Sequence, residues 1–139
     1  YPSSSLKSQC EEKFENYCEK SEKIKFWYKN GESSEEFFSI VYLDKMNKAW
    51  TFYPDYIIKD IDDNIWIIET KGGEDSYGHS KNIDIKIENK YEALKTYAKK
   101  YNLKWGFIRD IDDQIFISFA DEYIDDMKDV NWLNVRAII

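Results

Sequence analysis

Two strand-like segments separated by a run of acids constrain this chain's fold more than any other feature. Residues 49–58 (AWTFYPDYII) and 64–71 (NIWIIETK) are rich in β-branched and aromatic residues, and Asp60, Asp62, Asp63 and Asn64 lie between them as turn formers. The pair predicts an antiparallel hairpin. Side chains alternate faces along a strand, so Glu69 and Lys71 share one face and Thr70 takes the other. Where Asp55 falls depends on the turn. A pairing centred on residue 62, which needs an odd-length loop, sets Asp55 directly opposite Glu69, whereas a two-residue turn on Asp62-Asp63 sends it to the wrong side.

Asp55, Glu69 and Lys71 would then gather at one end of an apolar hairpin. Charges held together in such a place are costly unless compensated, and a divalent cation between the carboxylates compensates them. Hard oxygen ligands favour Mg²⁺, with Mn²⁺ as a substitute. A plain reading stands beside this one: an acid and a lysine two apart are common on strands, and Pro-Asp with Glu-x-Lys downstream arises by chance in many sequences. The spacing across the hairpin, the buried-strand flanks and Gly72-Gly73 favour the chemical reading.

At 139 residues the chain is about one domain long, and an aromatic content of 17% supplies enough bulk for a core. Residues 1–139 are therefore read as a single domain. Because the chain begins at Tyr1, without an initiator methionine, it is read as a C-terminal fragment of a longer protein. YPSSS lacks the basic end and apolar run of a signal peptide, and no stretch is long enough to span a membrane. Cys10 and Cys18 fall on one helix about 12 Å apart by helical rise, too far to bridge, which points to a reducing, cytoplasmic setting.

Helical periodicity predicts a first helix over 4–20, with Leu6, Cys10, Phe14 and Tyr17 on one stripe, Glu11 at its edge, and Glu12, Glu15 and Glu19 toward solvent. Segments 24–29 and 37–43 read as strands, giving four antiparallel strands in succession with the hairpin. Ile83, Ile87, Tyr91, Leu94, Ala98 and Tyr101 mark a second helix that Asp84 would cap. Strands over 104–110 and 114–119 and a final helix over 121–134 complete the chain. Lys59–Ile67 (KDIDDNIWI) and Arg109–Ile117 (RDIDDQIFI) repeat one pattern, and both read as hairpin turns. A calcium loop is excluded from the first, because Ile65 stands where that loop needs glycine and Lys71 where it needs glutamate. There is no P-loop, dinucleotide fingerprint or zinc-type cysteine spacing, and the single histidine, His79, rules out triads and two-histidine metal sites.

The chain resembles the C-terminal endonuclease domain of type III restriction enzyme Res subunits, within the PD-(D/E)XK nuclease superfamily. The resemblance rests on Ser8-x-x-Glu11-x-x-Phe14, Trp27-Tyr28-Lys29-Asn30-Gly31, Tyr53-Pro54-Asp55-Tyr56-Ile57-Ile58, Ile67-Ile68-Glu69-Thr70-Lys71-Gly72 and Lys90-x-x-Ala93-x-x-x-Tyr97. Tyr97 stands where the family usually carries tryptophan. The resemblance implies an α/β (α+β) fold with a restriction-endonuclease-like αβββαβ core, a central mixed sheet flanked by helices. It implies a Mg²⁺-dependent hydrolase cutting DNA phosphodiester bonds in phage defence, with Asp55, Glu69 and the Thr70 carbonyl at the metal. Lys71 would direct the attacking water and offset charge in the transition state, and Glu11 would orient a metal-bound water. Lys90, Lys86 and Gly72 would touch DNA. Implied partners are double-stranded DNA, a helicase/translocase portion of the same polypeptide, through which alone ATP would enter, and a DNA methyltransferase (Mod) subunit.

Two other classes stay open: a related nuclease of DNA repair or another phage-defence system, and a catalytically inactive nuclease-like module that binds DNA or protein. The complete Asp55, Glu69 and Lys71 set speaks against the last. Net charge is −7, although Lys81, Lys86, Lys90, Lys95, Lys99, Lys100 and Lys104 concentrate in one stretch that either faces phosphate or is a solvated helix face. The isolated chain should therefore bind duplex DNA with a Kd of about 1 µM or weaker at physiological salt, and more weakly as salt rises. Nanomolar binding in a fluorescence-anisotropy titration would contradict this reading of the charge.

Overall fold

The computed structural model describes residues 9–30, 38–71 and 85–139. Helix α1 (Gln9–Lys20) leads into β1 (Ile24–Lys29), β2 (Ile40–Leu43), β3 (Ala49–Phe52), β4 (Tyr56–Asp60) and β5 (Ile65–Lys71). Helix α2 (Ile85–Lys100) follows, then β6 (Lys104–Ile111), β7 (Gln114–Ser118), a short β8 (Leu133–Asn134) and a 3₁₀ turn over Val135–Ala137. The main sheet has the order β1-β4-β5-β6-β7-β8 and is mixed: β5 and β6 run parallel across the α2 crossover, and every other neighbouring pair is antiparallel. Among the described residues no helix is long and apolar enough to cross a membrane.

The two helices cover opposite faces. Cys10, Phe14 and Cys18 of α1 pack with Tyr56, Ile58, Trp66, Ile68, Ile108 and Ile117. Tyr91, Leu94 and Ala98 of α2 pack with Ile67 and Phe107, so alternate residues of β5 feed alternate cores. Both cysteines are buried and neither forms a disulfide among the described residues. On the α1 side, the backbone of Gly106 lets Ile117 lie across β6: a Cβ there would collide with Ile117 Cδ1.

Three expectations need correction. First, residues 49–58 form two strands. Pro54 has no N–H to give a ladder, so the strand run breaks between β3 and β4. Asn30 braces the break: its Nδ2 donates to the Pro54 carbonyl at 2.9 Å and its backbone N–H to the Asp55 carbonyl at 2.8 Å. Second, the strands do not run in antiparallel succession. β2 and β3 pair only with each other, and β1 pairs directly with β4. Third, residues 121–134 form no helix. Asp126 accepts from the Lys128 N–H and Asp129 from the Asn131 N–H, and such side-chain bonds compete with helical ones. Arg109, wholly buried on β6, holds this segment down through the Tyr123 hydroxyl (3.1 Å) and the Asp125 carbonyl (2.7 Å).

The hairpin register is the one centred on residue 62: Tyr56 faces Ile68, Ile57 faces Ile67 and Lys59 faces Ile65. Its loop is odd in length, with Asp63 at φ 64° closing onto the Asp60 carbonyl. The buried Asp60 carboxylate accepts from the N–H groups of Asp62 and Asn64, from Asn64 Nδ2 and from Trp66 Nε1. Burial pushes its pKa up, but the Trp66 and Asn64 hydrogen bonds outweigh that and hold it below the ordinary value. Asp60→Ala strands the Trp66 donor and should cost about 2–4 kcal/mol. Asp110→Ala, which removes a partner of half-exposed Lys13, should cost about 1 kcal/mol or less. Equal losses in urea melts would show that Asp60 does not hold the turn.

Candidate active site

The chain breaks at Pro54 just before the ladder of β4 begins, so backbone N–H groups near the strand ends are free to bind side chains. Two of them do so reciprocally. The Asp55 N–H donates to Glu69 Oε1 at 3.1 Å, and the Thr70 N–H donates to Asp55 Oδ2 at 2.9 Å, with the Thr70 hydroxyl on the same oxygen at 2.6 Å. Each carboxylate is thus seated by the backbone of the opposite strand.

Continuing the register sets Asp55 across from Glu69, as expected. Beyond the strand end the Asp55 carboxylate accepts from the Thr70 hydroxyl, and Glu69, on the same side of β5 as Ile67, stays within side-chain hydrogen-bond reach of it. Lys71, half-buried, follows Glu69 on that side and pairs with Arg109 across β6.

Both acids are held above their ordinary pKa. For Asp55 the first cause is burial, offset in part by the Thr70 bonds and reinforced by the charge of Glu11. Glu69, 9% exposed, is raised well above its usual value by burial first and by Asp55 second, and the positive charge of Lys90 opposes both. Lys90 also stands over the Phe52 ring, 6.0 Å from its centre.

Glu11 on α1 is half-buried near Asp55, as expected, but Glu15 does not face solvent. It lies one turn on from Glu11, accepts a hydrogen bond from the buried Tyr56 hydroxyl, and shares Lys29 with Glu11. Glu12 is exposed as expected. Gly72, His79, Asp84 and the side chain of Lys86 lie outside the described residues. Lys81 also lies outside the described residues, and the described lysines of the 81–104 stretch do not form one face: Lys95 pairs with Glu92 and Asp121, and Lys104 stacks on Trp66. Sequence reasoning missed Lys29, Tyr56 and Arg109 as neighbours of the site. The i,i+4 spacing of Glu11 and Glu15 was the signal that could have found the first.

Asp55 and Glu69 are an oxygen-only donor pair whose mutual repulsion a hard divalent cation would relieve, so their chemistry fits Mg²⁺ or Mn²⁺. Among the described residues, no group of three or more His, Cys, Asp or Glu side chains is placed to hold an ion. No protein-family model and no curated protein matches the chain.

Carboxyls with raised pKa values bind protons more tightly folded than unfolded, so their contribution to stability falls as pH rises from the ordinary carboxylate range toward their folded values. Glu69→Gln keeps the acceptor for the Asp55 N–H while removing the charge. In EDTA it should raise the melting temperature by a few degrees at pH 8, with the gain shrinking toward about pH 4, near the ordinary carboxylate pKa. A variant melting below wild type at pH 8 would contradict the repulsion.

Proposed function

We propose that this chain is a Mg²⁺-dependent DNA endonuclease domain of the type III restriction Res kind, with a PD-(D/E)XK core. The observation that carries the reading is the reciprocal seating of Asp55 and Glu69 on each other's strand, with Lys71 two residues beyond Glu69. The element order adds support. With the β2–β3 hairpin set aside, the chain up to β6 runs helix, three strands, helix, strand, and β6 is parallel to the third strand, β5.

In this reading Asp55 and Glu69 hold the ion, with the Thr70 carbonyl as a further oxygen. A bound divalent cation supplies Lewis acidity toward a phosphate oxygen and lowers the pKa of a water. The chain's own residues do the rest. The two backbone N–H groups fix the carboxylates beforehand, so little reorganisation is needed on binding. Lys71 brings an ammonium to the same strand end, where it directs the nucleophile and offsets negative charge developing on the phosphate. Glu11 orients a water, and Lys90 either balances Glu69 or meets a phosphate. A helicase/translocase portion and a methyltransferase partner would choose the site on DNA, in keeping with a domain whose net charge is −7.

The test is cleavage of plasmid DNA by the intact polypeptide. Cutting should require Mg²⁺ or Mn²⁺, and Asp55→Asn, Glu69→Gln and Lys71→Met should each lower it about 100-fold or more while the fold is kept. Undiminished Mg²⁺-dependent cutting by the purified Lys71→Met protein would overturn the mechanism. A wild type that never cuts would favour the non-catalytic binding module.

A further inference from the structure

Beside the carboxylate pair, three charged side chains and a phenol are linked in an order that cleavage chemistry alone does not demand. Lys29, the last residue of β1, places Nζ 3.3 Å from Glu11 Oε2 and 3.5 Å from Glu15 Oε2. Tyr56, its register partner on β4, is fully buried and gives its hydroxyl proton to the same Glu15 oxygen. Glu11 and Glu15 are one helical turn apart, where like charges repel, and the ammonium between them offsets that repulsion. The Lys29 and Glu11 side chains are each 21% exposed and that of Glu15 13%, so the bridge is sheltered from bulk screening. The chain of dependence runs inward to outward: the sheet fixes Tyr56, Tyr56 fixes Glu15, Glu15 helps fix Lys29, and Lys29 holds Glu11. Glu11 is near enough for its charge to act on Asp55, yet with Asp55 and Glu69 it makes no three-acid group.

We propose that Lys29 is a positioning residue that holds the Glu11 carboxylate back from the Asp55–Glu69 pair, so that Glu11 acts on bound water and not as a third metal ligand. The inference rests on the metal-dependent reading of that pair and adds what keeps a neighbouring acid out of the ion's coordination shell.

Mn²⁺ alone is the first probe, by calorimetric titration of the intact polypeptide, and DNA cleavage is the second. Lys29→Met frees Glu11 to join the ligands, so Mn²⁺ should bind about 10-fold more tightly while kcat falls about 10-fold or more and KM for DNA changes little. Lys29→Arg, which keeps a cation able to bridge both acids, should restore kcat and the wild-type affinity. In the Glu11→Gln/Lys29→Met double variant the affinity gain should vanish. A gain that persists there would mean that Lys29 acts only through its charge, and unchanged Mn²⁺ affinity in Lys29→Met would mean that it holds nothing back; either overturns the proposal. Should Lys29→Met fail to fold, Glu11→Gln decides alone. Affinity within about 2-fold of wild type supports a water-orienting Glu11, and a loss of about 10-fold makes Glu11 a ligand and overturns the proposal. Failure of the parent reading looks different: wild-type protein would bind Mn²⁺ no better than Asp55→Asn does, and this inference would fall with it.

Discussion

Asp60 is a buried carboxylate that accepts four hydrogen bonds within and beside the turn it opens, and that set of bonds fixes which residue lies across from Glu69. With the odd loop in place the pairing is centred on residue 62, and Asp55 follows Tyr56 into position opposite Glu69. A two-residue turn on Asp62-Asp63 would shift the pairing by one and place Tyr56 there instead. The core would suffer as much as the site. Tyr56 and Ile58 pack beneath α1 while Ile57 borders the core beneath α2, and a one-residue slip exchanges them. The turn therefore commits the sheet faces and the carboxylate pair together.

The second copy of the pattern shows what decides the register. In Arg109–Ile117 the ladder continues to Ile111 and Gln114, leaving a two-residue turn with Asp112 at φ 50° and Asp113 at φ 63°. Both positive angles suit the primed turn that joins twisted strands most tightly. The two sequences differ where it matters. Trp66 and Asn64 supply side-chain donors to Asp60, whereas Phe116 has none, and the Asp110 carboxylate bonds to Lys13 instead. From sequence, the two segments read equally well as hairpin turns, and alternation alone left the register open. The indole N–H was the legible difference, because a buried Trp needs a partner and an Asp six residues earlier is within reach across the turn.

Local rules served well where one residue's chemistry overrode the pattern and poorly where a distant partner did. Cys10, Phe14 and Tyr17 of α1, Ile87, Tyr91, Leu94 and Ala98 of α2, and the strands over 24–29, 64–71, 104–110 and 114–119 follow their apolar periodicity; Leu6 and Ile83 lie outside the described residues, and Tyr101 falls beyond the helix end and is exposed. The break at Pro54 was visible in principle, since proline inside a strand-like run argues against one continuous strand. Residues 121–134 were misleading: Met127 and Trp132 are buried, but Tyr123 and Trp132 pack over the Arg109 guanidinium, 6.0 and 5.4 Å from their ring centres, without forming a helix. No local pattern reveals that an arginine on a strand will be buried and draw a following segment over itself. Glu15 is a similar case: its hydroxyl donor comes from Tyr56, and only the fold brings the two together.

The distribution of cations around the site follows from how the sheet ends. Asp55 and Glu69 come from adjacent strands and stay within side-chain hydrogen-bond reach of each other, with the Thr70 hydroxyl on Asp55. The cations lie toward the two helices: Lys29 of β1 bridges Glu11 and Glu15 on α1, and Lys90 of α2 opposes the charge of Glu69. Burial, the largest cause, holds both acids above their ordinary pKa, and the charge of Lys90 opposes the rise at Glu69 without cancelling it. A buried acid pair with complete internal compensation would gain little from a further cation. This pair is prealigned by backbone N–H groups, which position the oxygens without adding a full positive charge, and a divalent cation held there would relieve the repulsion that remains.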